Sequence, residues 1–221
     1  MATPCLTTDL TARIDRLAGL LDRRISWRLL PILTGLLFAT GRRTVSSWLR
    51  AGELSRDYQD YYYFLAALGR NVKSLAAALL RLALPVVGTP GRVLLAIDDT
   101  PSQRYGPKVE GAGIHHNPTP GPAGSPFVYG HVWVTLAWVV RHPLWHTIGL
   151  PLLARMYVRQ KDIAAQFLPA RRQVVFQTKL QQAAELLTWA AQWLKILGRA
   201  VWMRTSPVSF RKWRYPRRQS I

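Results

Sequence analysis

One short run constrains the fold more than any other. Val93-Leu94-Leu95-Ala96-Ile97 follows a cluster of breakers (Pro85, Gly88, Pro90, Gly91) and runs straight into two carboxylates, Asp98 and Asp99, before Thr100. A short apolar run bounded by turn residues reads as a buried strand, so residues 92–100 are expected to be a strand ending in two acids. Residues 101–126 are rich in Gly and Pro and read as a long loop. His131–Val140 then reads as a second strand and Leu144–Leu153 as a third, with His142-Pro143 turning between them. A connection that short favours antiparallel neighbours. Residues 174–197 give the clearest helix: Phe176, Leu180, Ala183, Leu187, Ala190, Leu194 and Leu197 recur in steps of three and four and share one face. Gly198 suits its end, and Arg199–Trp202 starts a fourth strand.

Upstream, residues 7–84 read as helical. Thr7 or Thr8 can cap a helix carrying Leu10, Ile14, Leu17 and Leu21. A second helix spans Leu29–Ala39, Gly41 breaks the chain, and Thr44-Val45-Ser46-Ser47-Trp48-Leu49-Arg50 starts a short third helix ending near Gly52. Two more are expected at 57–68 and 72–84. A helix, a glycine turn and a short polar helix outline either a helix-turn-helix or an ordinary helical corner. In the first case Arg42, Arg43, Ser46, Ser47 and Arg50 suit phosphate or base contacts. The breaker cluster at 85–91 is the natural boundary, giving a helical region over 7–84 and an α/β unit over 92–202. From Met203 the last 19 residues hold five Arg, one Lys, three Ser and two Pro with no period.

Charge points to the partner. The chain carries 30 Lys and Arg against 11 Asp and Glu, a net +19. Residues 1–110 hold +6 of it and residues 111–221 hold +13, with Asp162 and Glu185 as the second half's only acids. Such an excess on a folded chain predicts a polyanion, and aromatic residues interleaved with Arg favour nucleic acid. Charge alone does not separate DNA from RNA. An apolar content of 49% is too high for a disordered basic tail. The single Cys5 excludes a disulfide framework within the chain and a cysteine-built zinc site. The longest apolar stretch, Leu29–Ala39, falls short of the roughly 20 residues of a membrane span. The first 25 residues lack signal-peptide features. These features predict a soluble intracellular protein.

A strand ending in acids, two antiparallel strands, a long helix and a further strand is the opening order of an RNase H-like fold, an α/β (α+β) arrangement with a mixed sheet. That fold's chemistry needs acids from separate elements to hold two divalent ions about 4 Å apart. Mg²⁺ suits it through its hard oxygen ligands. By spacing alone, one Asp-Asp pair serves equally as a helix cap or a turn. The wording of the sequence goes further. Ala96-Ile97-Asp98-Asp99-Thr100 resembles the first-aspartate motif of DDE-superfamily transposases of bacterial insertion sequences. Arg104-Tyr105-Gly106, Glu110-Gly111-Ala112-Gly113-Ile114-His115-His116-Asn117, Tyr129-Gly130-His131-Val132-Trp133-Val134 and Gly41–Arg50 resemble one branch of them. The resemblance covers residues 10–202. It implies Mg²⁺-dependent DNA cleavage and strand transfer at transposon ends, double-stranded DNA as partner, a homo-oligomer as the assembly to expect, and a bacterial cytoplasmic, nucleoid-associated location. It also strengthens the helix-turn-helix reading. It implies Asp99 as the metal-ligating acid, with Asp98 as an alternative or a supporting acid, since neighbours on a strand face opposite sides. Arg104, Lys108, Arg171 and Arg172 are candidate phosphate contacts or simply a solvated basic face. The pair His115 and His116 reads as loop packing rather than as metal ligands.

The pattern then departs from the family's. The second Asp is due after the fourth strand, in an aspartate-glycine-x-tyrosine context, yet Met203-Arg204-Thr205-Ser206 stand there and no acid follows Glu185. One DDE acid of three is present. One carboxylate cannot hold two Mg²⁺ ions, so the chain is expected to be an inactive, truncated transposase. Its basic tail from 203 would be an out-of-frame reading or the short product of programmed frameshifting. The alternatives are a non-cutting DNA-binding regulator of transposition and a general RNA-binding basic protein.

Overall fold

The computed structural model describes residues 6–42, 44–54, 58–87, 93–106, 109–117, 124–164 and 174–198. The N-terminal region is helical, as its apolar spacing predicts. Thr7 caps α1 (Thr8–Ala18) by accepting from the Leu10 amide. A short α2 (Arg23–Ser26), capped by Asp22, had no signal in the periodicity because one turn is too short to show one. It leads into α3 (Leu29–Phe38), α4 (Val45–Ala51), α5 (Tyr58–Arg70) and α6 (Val72–Val87). Ile14, Leu21, Leu29, Ile32, Leu49, Tyr61 and Phe64 make the core of this region. Arg28 ties it together by donating to Asp60 on α5 at 2.7 Å.

α3 and α4 cross backbone against backbone. A methyl group at Gly35 would overlap the Trp48 carbonyl oxygen, and one at Gly52 would lie 2.9 Å from the Pro31 carbonyl oxygen. Gly41 takes φ +86 in the connecting turn, which a Cβ disfavours. Thr44 then caps α4 by accepting from the Ser47 amide.

α6 departs from expectation at its end. It continues through Pro85 to Val87 instead of stopping at Leu84. A proline deletes only one backbone donor, and in the last turn few helical bonds remain to be disturbed. Through Ala76, Leu80 and Leu84, α6 shares the core of the sheet region.

The sheet is built on one long strand. β3 (Phe127–His142) pairs antiparallel with β1 (Leu94–Gln103) along one edge. Along the other edge it pairs with β2 (Gly113–His116) and then with β4 (His146–Tyr157). Gly130 faces both Gln103 and Gly113, which puts β1 and β2 on opposite sides of β3. Two expectations are corrected here. β1 does not end at the acids but runs three residues beyond Thr100, so Asp98 and Asp99 sit inside a ladder. Residues 101–126 are not all loop, because the end of β1 and β2 fall within them. Four residues give too few alternations for β2 to stand out among glycines. All pairings among the described residues are antiparallel; the expected fourth strand at 199–202 lies outside them, as does the tail from 203.

One face of β3 (Val132, Val134, Leu136, Trp138, Val140) is buried, and the other (Trp133, Thr135, Ala137, Val139) is half-exposed. The buried face packs against α6 and α8 (Lys179–Ile196), which Arg81 links by lying 4.8 Å over the Trp193 ring. α8 starts five residues later than expected, at a full capping box of Thr178 and Gln181. Its buried face is centred on Ala183, Leu186, Ala190 and Leu194. Leu180, expected inside, is exposed, and Gln182, expected outside, is buried. The Gln182 amide donates to the Met156 carbonyl of β4 at 3.2 Å, which holds that side of the helix down on the sheet.

Gly35→Ala should lower stability by about 1–3 kcal/mol, the range for overpacking, because two backbones leave no space for the methyl. Gly69→Ala, where nothing lies within 4 Å of the added carbon, should leave stability unchanged or raise it. Chemical denaturation of the two variants checks the difference.

Candidate functional site

Strand alternation separates the two adjacent acids. Val93, Leu95 and Ile97 pack into the core beneath α8, and Asp99 continues that row, its side chain 35% exposed. Asp98 falls on the opposite, open face, where its Oδ1 accepts from the Asp99 amide at 2.9 Å. The two carboxylates therefore cannot serve as neighbouring ligands of one ion.

Asp99 already has a cation. Lys179, the first residue of α8, donates its ammonium to Asp99 Oδ2 and lies 5.5 Å from the centroid of the Tyr157 ring. The sequence signal for this was the Thr178–Gln181 capping box, which fixes where α8 begins and hence which residue overlies β1. Two strands across, on the same face, Asp99 aligns through Val134 with Arg155 of β4. Arg155 donates to Gln177 Oε1 at 3.1 Å and to Glu185, and the Gln177 amide also donates to Glu185. Glu185 is thus held by Arg155 and Gln177, away from Asp99's partner.

The motif residues after Asp99 fasten β2 to the sheet. A side chain at Gly130 would collide with the Ser102 carbonyl, and one at Gly113 would meet Arg159 and Asp162. Arg159, just ahead of α7 (Gln160–Ala164), donates to the Ile114 carbonyl and twice to buried Asp162, at 2.6 and 2.8 Å. Arg104, a candidate phosphate contact, donates its Nε to His131 Nδ1 at 3.2 Å. With Nδ1 accepting, the other ring nitrogen of His131, Nε2, is left to donate to the Glu110 carbonyl at 2.9 Å. His115 is buried edge-on to Tyr157, while His116 stands against Phe127. Burial, followed by the positive charges of Arg159 and Lys179, holds the His115 imidazole below its ordinary pKa. His115 packs inward while His116 is exposed, and both stand on strand β2 and not in the loop expected for them.

Of the expected DNA contacts, Arg42 and Arg50 are exposed on either side of the start of α4. Ser46 and Ser47 are half-buried and bonded to Thr44 Oγ1 at 3.1 and 2.9 Å, and Arg50 reaches Ser47 Oγ at 3.5 Å. Arg43, Lys108, Arg171 and Arg172 lie outside the described residues.

The sequence pattern of the DDE superfamily endonuclease family matches residues 16–202. The chain belongs to that family. No curated protein and no solved structure matches it. DDE-family membership gives the chain a transposase- or nuclease-type descent and DNA as the family's substrate. Such nucleases typically use divalent metals, but the donors here do not fit one: Asp99 is neutralised by Lys179, Asp98 faces away, and no three His, Cys, Asp or Glu side chains come together among the described residues. No helix among those residues is long and apolar enough to cross a membrane.

His115 gives the site a pH signature. Below about pH 6.5, the ordinary value, the unfolded chain takes up a proton that folded His115 resists. Stability should therefore fall as pH drops through that value and level off below the folded pKa. Thermal melts between pH 7.5 and 5 should show a shallower decline in His115→Gln than in the wild type.

Proposed function

We propose that this chain is a DNA-binding protein of insertion-sequence transposase descent, which occupies transposon ends without cutting them. The observation that carries the reading is the state of Asp99. In a DDE-family chain it stands on the helix-covered face of β1, where a first acid is wanted, yet it is met by an ammonium and not by a second carboxylate. Asp99 is the acid this reading assigns to the DDE set, and Asp98 is left as a structural neighbour. An ammonium fixed on a half-buried carboxylate cancels the charge that would otherwise repel a phosphodiester. The site then tolerates DNA but supplies no Mg²⁺ cradle.

DNA recognition is assigned to α3, the Gly41 turn and α4, acting as a helix-turn-helix. Arg42, Arg43 and Arg50 contact phosphates, and Ser46 and Ser47 brace the helix start. Arg104, Lys108, Arg171 and Arg172 extend the basic surface, and two copies of the chain bind a pair of ends at the bacterial nucleoid. A protein that covers transposon ends and leaves them whole acts as a regulator of the full-length enzyme.

Two measurements test the proposal. Duplexes taken from the DNA flanking the coding sequence, incubated with the chain and Mg²⁺, should remain unnicked. Nicking that Asp99→Asn abolishes would overturn the non-cutting assignment. Binding to the same duplexes should weaken steeply with salt, and Arg42→Gln and Arg50→Gln should each reduce the log–log slope by about 1. Equal affinity and slope for unrelated duplex and for RNA would instead favour a general nucleic-acid binder.

A further inference from the structure

The β3–β4 hairpin carries a feature that the acid site does not use. On the β1 side the ladder stops at Val139, but β3 and β4 stay paired through Val140–Ile148, Arg141–Thr147 and His142–His146. Among the described residues the pair therefore runs on as a two-stranded ribbon for about 10 Å beyond its β1 ladder. At its tip, Leu144 is 76% and Trp145 is 68% exposed. Exposed aromatic surface of this size is unusual unless something covers it.

The tip is built and not loose. The Trp145 indole stacks on the His142 imidazole, with ring centroids 4.3 Å apart and planes within 17°. His142 is fixed in turn, because its Nδ1 accepts the amides of both Leu144 and Trp145 at 3.2 Å. Pro143 sets the backbone at the first loop position. His146 closes the loop with φ 56, a left-handed conformation that histidine tolerates better than most residues. The outcome is a rigid aromatic plate with one face stacked internally and the other open.

Charge identifies what such a plate meets. The chain carries a net +19, and the hairpin itself, residues 127–157, holds no Asp or Glu. Arg141 is exposed at the base of the tip. An open indole face beside an exposed arginine is a combination that binds unstacked bases: the guanidinium takes the phosphate and the ring takes the base. A two-stranded ribbon also fits the width of a DNA groove.

We infer that the tip of the β3–β4 hairpin is a stacking finger for an unpaired nucleobase, with Trp145 as the platform, His142 as its positioning residue and Arg141 as the phosphate contact. The inference rests on the DNA-binding reading above. Val134 faces Asp99, and His142 lies eight residues further along β3, about 27 Å away. The finger therefore engages DNA about eight nucleotides from the acid, at a 3.4 Å rise per nucleotide. It reads flanking DNA, where an end is frayed or single-stranded, and not the phosphodiester beside Asp99.

The experiment compares one 30-base-pair duplex with the same duplex carrying a five-nucleotide single-stranded extension that contains 2-aminopurine. The full chain should bind the extended form about tenfold more tightly and quench its fluorescence. Trp145→Ala should lose the preference and the quenching while keeping its affinity for the plain duplex. Trp145→Phe should restore part of both, and unchanged melting of both variants shows that the fold is intact. The inference is overturned if Trp145→Ala keeps the preference, or if the wild type shows none; the DNA-binding reading survives either result. Failure of the wild type to bind either DNA removes both. Vesicles of anionic phospholipid form a third arm. Binding there that depends on Trp145, with no effect of the variant on DNA, makes the tip a membrane contact and overturns the finger.

Discussion

Everything in the sheet depends on β3 having a partner on both edges at Gly130. There the chain must accept Gln103 on one side and Gly113 on the other, and the Ser102 carbonyl lies where a side chain would go. A larger residue would push β1 or β2 off the spine. Losing β1's register would be costly for function as well as for stability, since a slip of one residue exchanges the two faces. Asp98 would then point under α8 and Asp99 into the open. The short motif around Gly130 is thus an architectural device, and its effect on chemistry is indirect: it decides which acid faces inward.

The inward acid sits in a network in which each charge is held by one of opposite sign. Lys179 holds Asp99, Arg155 and Gln177 hold Glu185, and Arg159 holds Asp162. The first two join elements that hydrophobic packing alone leaves free to slide, α8 to β1 and α8 to β4; the third is local to the start of α7 and aims Arg159 at the Ile114 carbonyl of β2. Such pairs add little to stability when half-exposed. They do fix the rotation of α8 about its axis, because Lys179 and Glu185 cannot both reach their partners if the helix turns. The same arrangement uses up the carboxylates that a metal would need. A positive surface on which the inward acid is matched by a lysine presents little local repulsion to a phosphate backbone there.

Much of this was legible in the sequence, for reasons that also explain the gaps. Long periodic segments declared themselves: a cap at Thr7 or Thr8, a short helix starting around Thr44, the spacing of Leu10 and Ile14, and the β3–β4 hairpin with its turn near Pro143 all appear where expected. Alternation put Asp98 and Asp99 on opposite faces once the strand was assigned, and the family resemblance singled out Asp99. What the sequence hid were effects of tertiary contact. β2 is only four residues long and is held by Arg159 from 45 residues away, which no local pattern encodes. α6 runs past its proline because the helix is nearly finished there and its face is buried on the sheet. For Lys179 the Thr178–Gln181 capping box marks only where α8 begins; the acid that Lys179 lies over is 80 residues earlier, which no local pattern encodes. Gln182 broke the apolar spacing, and its burial depends on a carbonyl in β4.

The same dependence on tertiary contact governs the N-terminal region. α4 has seven residues, about two turns, and a helix that short does not persist alone in water. What holds it is Leu49, fully buried among α1, α3 and α5, together with the glycine crossing at Gly35 and Gly52. Those glycines let the two backbones approach more closely than side chains would allow, so α4 has little room to rock against α3. The Thr44 hydroxyl then fixes the first turn from within by engaging Ser46 and Ser47, and Arg50 is steadied against Ser47. A cation on a short flexible helix would lose much of its binding energy to ordering. A cation on a helix locked by a backbone crossing has already met that cost in folding. The closeness of α3 to α4 is therefore what lets so short an element present Arg42 and Arg50 at a fixed separation to a regular polyanion.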